Sequence, residues 1–231
     1  MKINKKIKLV FYKSMMAVSW KLSLIKGRVG HRAYPYMYTP KQLLKICSLA
    51  EEAIQDSVQQ GCIVEAGCAY GATTIFLQKY LEGKFSGQYY AIDTFGGFTE
   101  ADVAFEKSKR QKRDMSAAFS VNNKEWYEAT LILNGVHGVQ ALPADVGKFD
   151  FSGLGGIAFC LMDVDLYQPI ARSLPGLYEN LLPGGIIVVD DCKPNRIFDG
   201  AEQAYREFCN TMNLQPEIHE GKLGILRKRI S

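Results

Sequence analysis

Apolar and polar positions along this chain switch between two rhythms, and the switch lays out its architecture. From Cys62 onward, short apolar runs near 62 to 66, 88 to 93, 138 to 142, 157 to 163 and 184 to 190 predict strands. Such runs, bounded by Gly, Pro or acidic residues, belong to central strands buried on both faces of a parallel sheet. Between them, apolar positions at steps of three and four predict helices near 71 to 82, 168 to 180 and 198 to 212. Alternation of this kind specifies an α/β fold with helices on both faces of the sheet. The end differs: 215 to 219, Glu220-Gly221 and 223 to 227 read as a β-hairpin, which adds an antiparallel strand at the sheet edge.

Upstream of the sheet two helical stretches flank a Gly, Pro and Tyr-rich turn from Gly27 to Pro40. Ile7, Phe11, Met15, Val18, Leu22 and Ile25 form one apolar stripe, and 41 to 59 also has helical periodicity. Two regions are therefore expected: a helical extension over 1 to 60, acting as a lid or a dimer contact, and the sheet domain over 61 to 231. A stripe of this kind packs on the domain or on a twin subunit, so a homodimer is expected. Residues 1 to 32 carry nine Lys or Arg and no acid, which leaves peripheral contact with an anionic membrane surface open. Nucleic acid is disfavoured, because no recognition motif accompanies the charge. Residues 99 to 134, rich in charge and aromatics, exceed what a strand-to-strand crossover requires and are expected to cover the site as a lid.

Composition narrows the class further. With 47% apolar and 23% charged residues over 231 positions, disordered and membrane classes fit poorly. No run reaches the roughly 18 to 20 apolar residues that span a bilayer. The six cysteines show neither CxxC nor zinc spacing, as expected of reduced, buried thiols in a cytoplasmic protein. The basic start lacks the uninterrupted apolar stretch and cleavage site of a signal peptide.

Candidate chemistry lies at the strand ends. Asp163 closes Ile157-Ala-Phe-Cys-Leu-Met162, and Asp190-Asp191 close Gly185-Ile-Ile-Val-Val189. Ligands bind beyond the carboxyl ends of parallel strands, so these three aspartates should converge at one mouth. Crowded carboxylates repel one another unless a cation lies between them, and a hard, oxygen-seeking ion such as Mg2+ is the natural candidate. A single Asp in such a place is more often a helix cap; three at the ends of adjacent strands favour a metal site. Asp165 stands beside the trio without an assigned role. The histidines His31, His137 and His219 are scattered, and no Ser/His/Asp or Cys/His arrangement indicates covalent catalysis.

The cofactor end begins one strand earlier. Glu65-Ala-Gly67-Cys-Ala-Tyr-Gly71 joins a strand to a helix start, where glycines let the backbone approach a ligand and free N–H groups favour an anion. A dinucleotide fold would carry G-x-G-x-x-G. Here an acid sits at the strand tip instead, which suits a ligand bearing an ammonium group, as S-adenosylmethionine does. Asp93 ends the next strand 22 residues after Gly71, where a carboxylate can accept from both ribose hydroxyls. Asp145 follows the third strand; it can meet an adenine amino group, and a turn role is equally open.

These motifs carry a resemblance. Glu65 to Gly71, Asp93-Thr-Phe-Gly-Gly-Phe98, Leu161-Met-Asp163-Val-Asp165-Leu-Tyr167 and Pro183-Gly-Gly-Ile-Ile-Val-Val-Asp190-Asp191 together resemble the macrocin O-methyltransferase family of antibiotic sugar methyltransferases, over roughly residues 60 to 210. The resemblance implies a Rossmann-like class I methyltransferase fold, a seven-stranded mostly parallel sheet ending in an antiparallel hairpin strand. It implies Mg2+-dependent methyl transfer from S-adenosylmethionine to a hydroxyl of a sugar or natural product, with Asp163, Asp190 and Asp191 holding the metal and Asp163 also serving as base. A more distant likeness to catechol-type O-methyltransferases makes Thr39 a candidate cofactor contact and a catechol the second acceptor class. A nucleoside-binding partner protein without catalysis is the remaining alternative. Where the family carries a bulky pair such as Trp-Arg before the second glycine, this chain has Ala69-Tyr70.

Overall fold

A computed structural model describes residues 14–15, 37–194 and 197–230. The apolar stripe expected over Ile7 to Ile25, the dimer contact assigned to it and His31 lie outside the described residues, apart from Ser14 and Met15. The chain divides at Met37 and Tyr38, and the second unit, Tyr38–Ser231, carries the whole sheet. Its order is α1 (Pro40–Asp56), β1 (Cys62–Ala66), α2 (Ala72–Tyr80), β2 (Tyr89–Asp93), α3 (Glu100–Lys109), α4 (Lys124–Leu133) and β3 (Val139–Pro143). There follow β4 (Ile157–Met162), α5 (Tyr167–Asn180), β5 (Leu181–Val189), α6 (Gly200–Thr211), β6 (Glu217–His219) and β7 (Leu223–Arg227).

The seven strands run in the order β3-β2-β1-β4-β5-β7-β6. The first five are parallel, and β7 pairs antiparallel with both β5 and β6. This is the Rossmann-like sheet with a terminal hairpin that the sequence pattern predicts. Strand order reverses between β1 and β4, so the mouth lies where those two carboxyl ends part. Register aligns Val64, Cys160 and Ile187 in one row and Ile63, Phe159 and Ile186 in the next. Both rows are buried, because successive residues face opposite sides and both sides are covered. Ile170, Leu174 and Leu177 of α5 and Ala204, Tyr205 and Phe208 of α6 pack on the first row.

Local signals explain where the helices begin. Thr39 caps α1 through a capping box: its hydroxyl accepts from the Gln42 N–H while the Gln42 side chain accepts from the Thr39 N–H. Such a cap is worth about 1 kcal/mol. This helix lies against β4 and β5 and belongs to the sheet unit. The insertion expected as a lid contains two helices, α3 and α4, capped by Thr99 and Asn123. Both are packed down. Phe105 of α3 stacks on Tyr167 at 5.6 Å, and Tyr127 and Leu131 of α4 enter a cluster with Ala91 and Ala141. All six cysteines are free and buried, as their spacing predicts.

Candidate active site

Main-chain hydrogen bonds bring the strand ends together. The Asp163 N–H donates to the Ala66 carbonyl at 2.7 Å, the Gly67 N–H to Ile92 at 2.9 Å and the Asp190 N–H to Met162 at 2.9 Å. The ladder therefore runs just past the strands and places the glycine turn, Asp93, Asp163 and Asp190 along one rim. Beyond the rim the chain turns sharply. Ala69, Asp165 and Asp191 all adopt left-handed φ, at 42°, 63° and 55°. Non-glycine residues seldom do so, and such strain gathers at functional sites.

The glycine turn is tied from three sides. Gly67 and Gly71 have φ of 82° and 83°, the conformation that glycine alone adopts without steric cost. Asp93 Oδ2 accepts from the N–H groups of Cys68 and Ala69, each at 3.0 Å, and Oδ1 accepts from Phe95 at 2.8 Å. From the insertion, the Asn122 amide donates to the Ala69 carbonyl at 2.7 Å, and its own Oδ1 is buried without a partner.

Glu65 behaves differently from its sequence reading. Its side chain is 1% exposed and turned into the core, where Oε2 accepts from the hydroxyls of Thr74 at 2.6 Å and Tyr89 at 2.9 Å. Tyr127 donates to Thr74 in turn, at 3.1 Å. Burial pushes the Glu65 carboxyl up to about 7, against the downward pull of those hydroxyls. These bonds form a buried network that joins β1, α2, β2 and α4. Thr39 is occupied as the α1 cap. Asp145 takes the turn reading: Oδ1 accepts from the Gly147 N–H at 3.0 Å and Oδ2 pairs with Lys148 at 2.9 Å.

The acidic end holds four aspartates and two cations. Asp190 and Asp191 are 4% and 8% exposed. Lys222 Nζ lies 2.6 Å from Asp190 Oδ2 and 3.5 Å from Asp191 Oδ1, while Lys193 Nζ lies 2.9 Å from Asp191 Oδ1. Tyr38 donates its hydroxyl to Asp163 Oδ2 at 2.7 Å, and its ring lies 4.4 Å from the Lys222 ammonium. Asp190 Oδ1 is buried without a partner. Burial raises the carboxyls of Asp163, Asp165 and Asp190, the last to about 8, and neighbouring carboxylates add to the effect. For Lys222, burial is the largest single influence and pulls the ammonium down, but Asp190, Asp163 and Asp191 together outweigh it and the net direction is upward.

Two members of this end escaped the sequence reading. Tyr38 carries no motif of its own, although it adjoins Thr39. Lys222 follows the hairpin turn, where a basic residue is ordinarily solvated, and only the pairing of β7 with β5 brings it beside Asp190. Among the described residues, no group of three or more His, Cys, Asp or Glu side chains is gathered closely enough to enclose a metal ion. His219 pairs with Glu217 on the hairpin at 2.6 Å, and His137 lies on an exposed turn before β3, so neither joins the site.

Comparison with known proteins places this geometry. The pattern of the Macrocin-O-methyltransferase (TylF) family matches residues 31–222. The solved O-methyltransferase NovP shares 19% identity over 84% of this chain and 82% of its own, with a TM-score of 0.71. CalS11, a calicheamicin methyltransferase, shares 19% identity over 98% of this chain and 94% of its own, with a TM-score of 0.64. An apo structure of CalS11, there termed a TDP-rhamnose 3'-O-methyltransferase, gives 20% identity over 81% and 78%, with a TM-score of 0.55. These likenesses are of fold. No curated protein matches the chain. The family match covers most of the chain and coincides with the resemblance carried by its motifs: the chain belongs to the macrocin O-methyltransferase family and is an S-adenosylmethionine-dependent O-methyltransferase.

Proposed function

We propose that this enzyme methylates a hydroxyl on a sugar-bearing small molecule and that it does so with a divalent cation, Mg2+ above others. The observation that carries the reading is the donor chemistry of the buried acids at the ends of β4 and β5, beside the glycine turn of β1, although their side chains are not drawn into a closed cage. Four carboxylates face two ammonium groups there, and Asp190 Oδ1 has no partner. All the free donors are carboxylate oxygens, the chemistry that hard cations select. The acceptor class is supported by family membership and by CalS11, whose own acceptor is a TDP-sugar.

Asp163, Asp190 and Asp191 are the residues that would hold the cation, which when bound lowers the pKa of a coordinated hydroxyl and fixes its direction. Asp163 would take the hydroxyl proton. Tyr38 occupies its Oδ2, which leaves Oδ1 for the acceptor, and burial raises its carboxyl, the direction that favours accepting a proton. Gly67, Gly71 and Asp93 shape the donor side. The left-handed turn leaves the first N–H groups of α2 free to meet an anionic group, and Asp93 borders the ribose position. Glu65 supports that turn from below. Positioning of donor against acceptor can supply about 7 to 11 kcal/mol of barrier reduction, so this rigid rim matters as much as the base.

The test is turnover on TDP-sugars with Mg2+ and with a chelator, in the wild type and in Asp190→Asn, together with S-adenosylhomocysteine binding. Chelation and Asp190→Asn should each abolish methylation and leave S-adenosylhomocysteine binding near its wild-type value. Full activity in chelator would overturn the metal reading.

A further inference from the structure

Lys222 is held in the acid cluster by its backbone as well as by its charge. Its N–H donates to the His219 carbonyl at 3.1 Å, which closes the turn through Glu220 and Gly221, both at positive φ. Its carbonyl accepts from the Cys192 N–H at 2.8 Å, directly after Asp190-Asp191. The turn is also fastened to α1, because the Gln42 amide donates to the Glu220 carbonyl at 3.1 Å. With the main chain fixed at these points, the ammonium can withdraw from the carboxylates only by swinging its own stem. That side chain is 8% exposed, and its ammonium lies over the Tyr38 ring.

We propose that Lys222 is a tethered counter-cation of the acid cluster: it balances the carboxylates of the metal-free enzyme and opposes the divalent cation that they would otherwise bind more tightly. The inference rests on the metal reading above. Two of the three carboxylates assigned to the metal touch this one ammonium, and the third is held by the tyrosine that lies against it. An ion reaching the free Asp190 Oδ1 meets a fixed positive charge across the same carboxylate, in surroundings too dry to screen it. Without that charge the buried acids repel one another, and breaking a buried pair destabilises a fold strongly. The same residue thus stabilises the empty site and weakens its affinity for metal.

The experiment measures free Mn2+ by electron paramagnetic resonance during titration of full-length wild type, Lys222→Met and Lys222→Arg, with thermal midpoints recorded with and without Mn2+. Lys222→Met should bind Mn2+ about tenfold or more tightly than wild type, while Lys222→Arg, which keeps the charge, stays close to wild type. Without metal, Lys222→Met should melt below wild type, and Mn2+ should raise its midpoint by more. If Lys222→Met folds only with metal, a cooperative melt restored by Mn2+ supports the proposal; no restoration, with wild type still binding Mn2+, counts against it. Equal or weaker affinity in Lys222→Met, with wild type binding, overturns the role of Lys222 and leaves the metal reading intact. Absence of Mn2+ binding in every variant removes both.

Discussion

Gly67 and Asp163 are packed so closely that a Cβ on Gly67 would lie 2.0 Å from the Asp163 carbonyl oxygen. The donor turn and the acid cluster are therefore one rigid construction, joined where β1 and β4 part. That contact fixes the two elements relative to each other at the point where they meet, which suits a reaction whose rate depends on the alignment of two substrates.

Gly67→Ala should break this construction. The added methyl would overlap main chain rather than a yielding side chain, and φ of 82° disfavours any Cβ. Left-handed strain costs about 1 to 2 kcal/mol and overpacking about 1 to 3 kcal/mol more. The variant should melt several degrees lower and lose both S-adenosylhomocysteine binding, read by calorimetry, and methylation. Unchanged binding with lost turnover would show that the two halves are separable.

Asp93 should govern the donor side alone. Its carboxylate satisfies three main-chain N–H groups, so Asp93→Ala strands donors at about 1 to 3 kcal/mol for each one that water cannot reach. S-adenosylhomocysteine binding should weaken at least about tenfold, the equivalent of 1.4 kcal/mol, while Mn2+ binding at the acid cluster changes little. Loss of Mn2+ affinity in the same measurement would contradict this division.

Most of the sheet and its mouth is legible in the sequence, for a physical reason. A strand buried on both faces must be apolar throughout, so Ile157 to Met162 and Gly185 to Val189 announce themselves, and the acids that end them stand out. The direction in which a side chain turns is not encoded in this way. Glu65 ends a strand just as Asp93 does, yet Thr74 and Tyr89 draw it into the core, a choice made by residues 9 and 24 positions away. Lys222 was invisible because its partners lie 31 and 32 positions earlier and meet it only through antiparallel pairing at the sheet edge. The helices of the insertion were hidden by short amphipathic stretches, although Thr99 and Asn123 did mark their starts.

The buried Glu65 should make the cofactor-free enzyme less stable as pH rises. Its folded value of about 7 lies above the ordinary 4.5, so the folded state keeps a proton that the unfolded chain releases. The stability tied to that proton is complete below about pH 4.5, declines as pH rises towards 7 and is gone above it, a loss of about 3 kcal/mol at most. The acids near Lys222 whose carboxyls are also raised share the slope, so the informative quantity is a difference. Glu65→Gln keeps an oxygen for Thr74 and Tyr89 but cannot ionise. Urea midpoints between pH 4.5 and 7 should fall less steeply in Glu65→Gln than in wild type, and parallel lines would refute the assignment.

Arg110 should decide whether the insertion behaves as a fixed wall. Its Nε lies 2.9 Å from Glu106 Oε2 and its Nη2 lies 2.7 Å from Asp199 Oδ1, and Lys112 Nζ reaches the same Asp199 at 2.7 Å. Glu106 also accepts from the Tyr167 N–H at 2.9 Å through Oε1, so one carboxylate ties α3 to the start of α5. At 2% exposure its charge is dry, and removal of the guanidinium leaves it without its closest cation, at a cost of about 3 kcal/mol. Arg110→Ala should therefore raise hydrogen exchange across Glu100–Lys109 by about a hundredfold, while protection in β1 and β4 stays at wild-type level. Arg110→Lys can restore the charge but not the two-sided bridge, and should recover only part of the protection. If exchange in α3 does not change in Arg110→Ala, the parallel stack of Phe105 on Tyr167, with ring planes 9° apart, carries the docking instead.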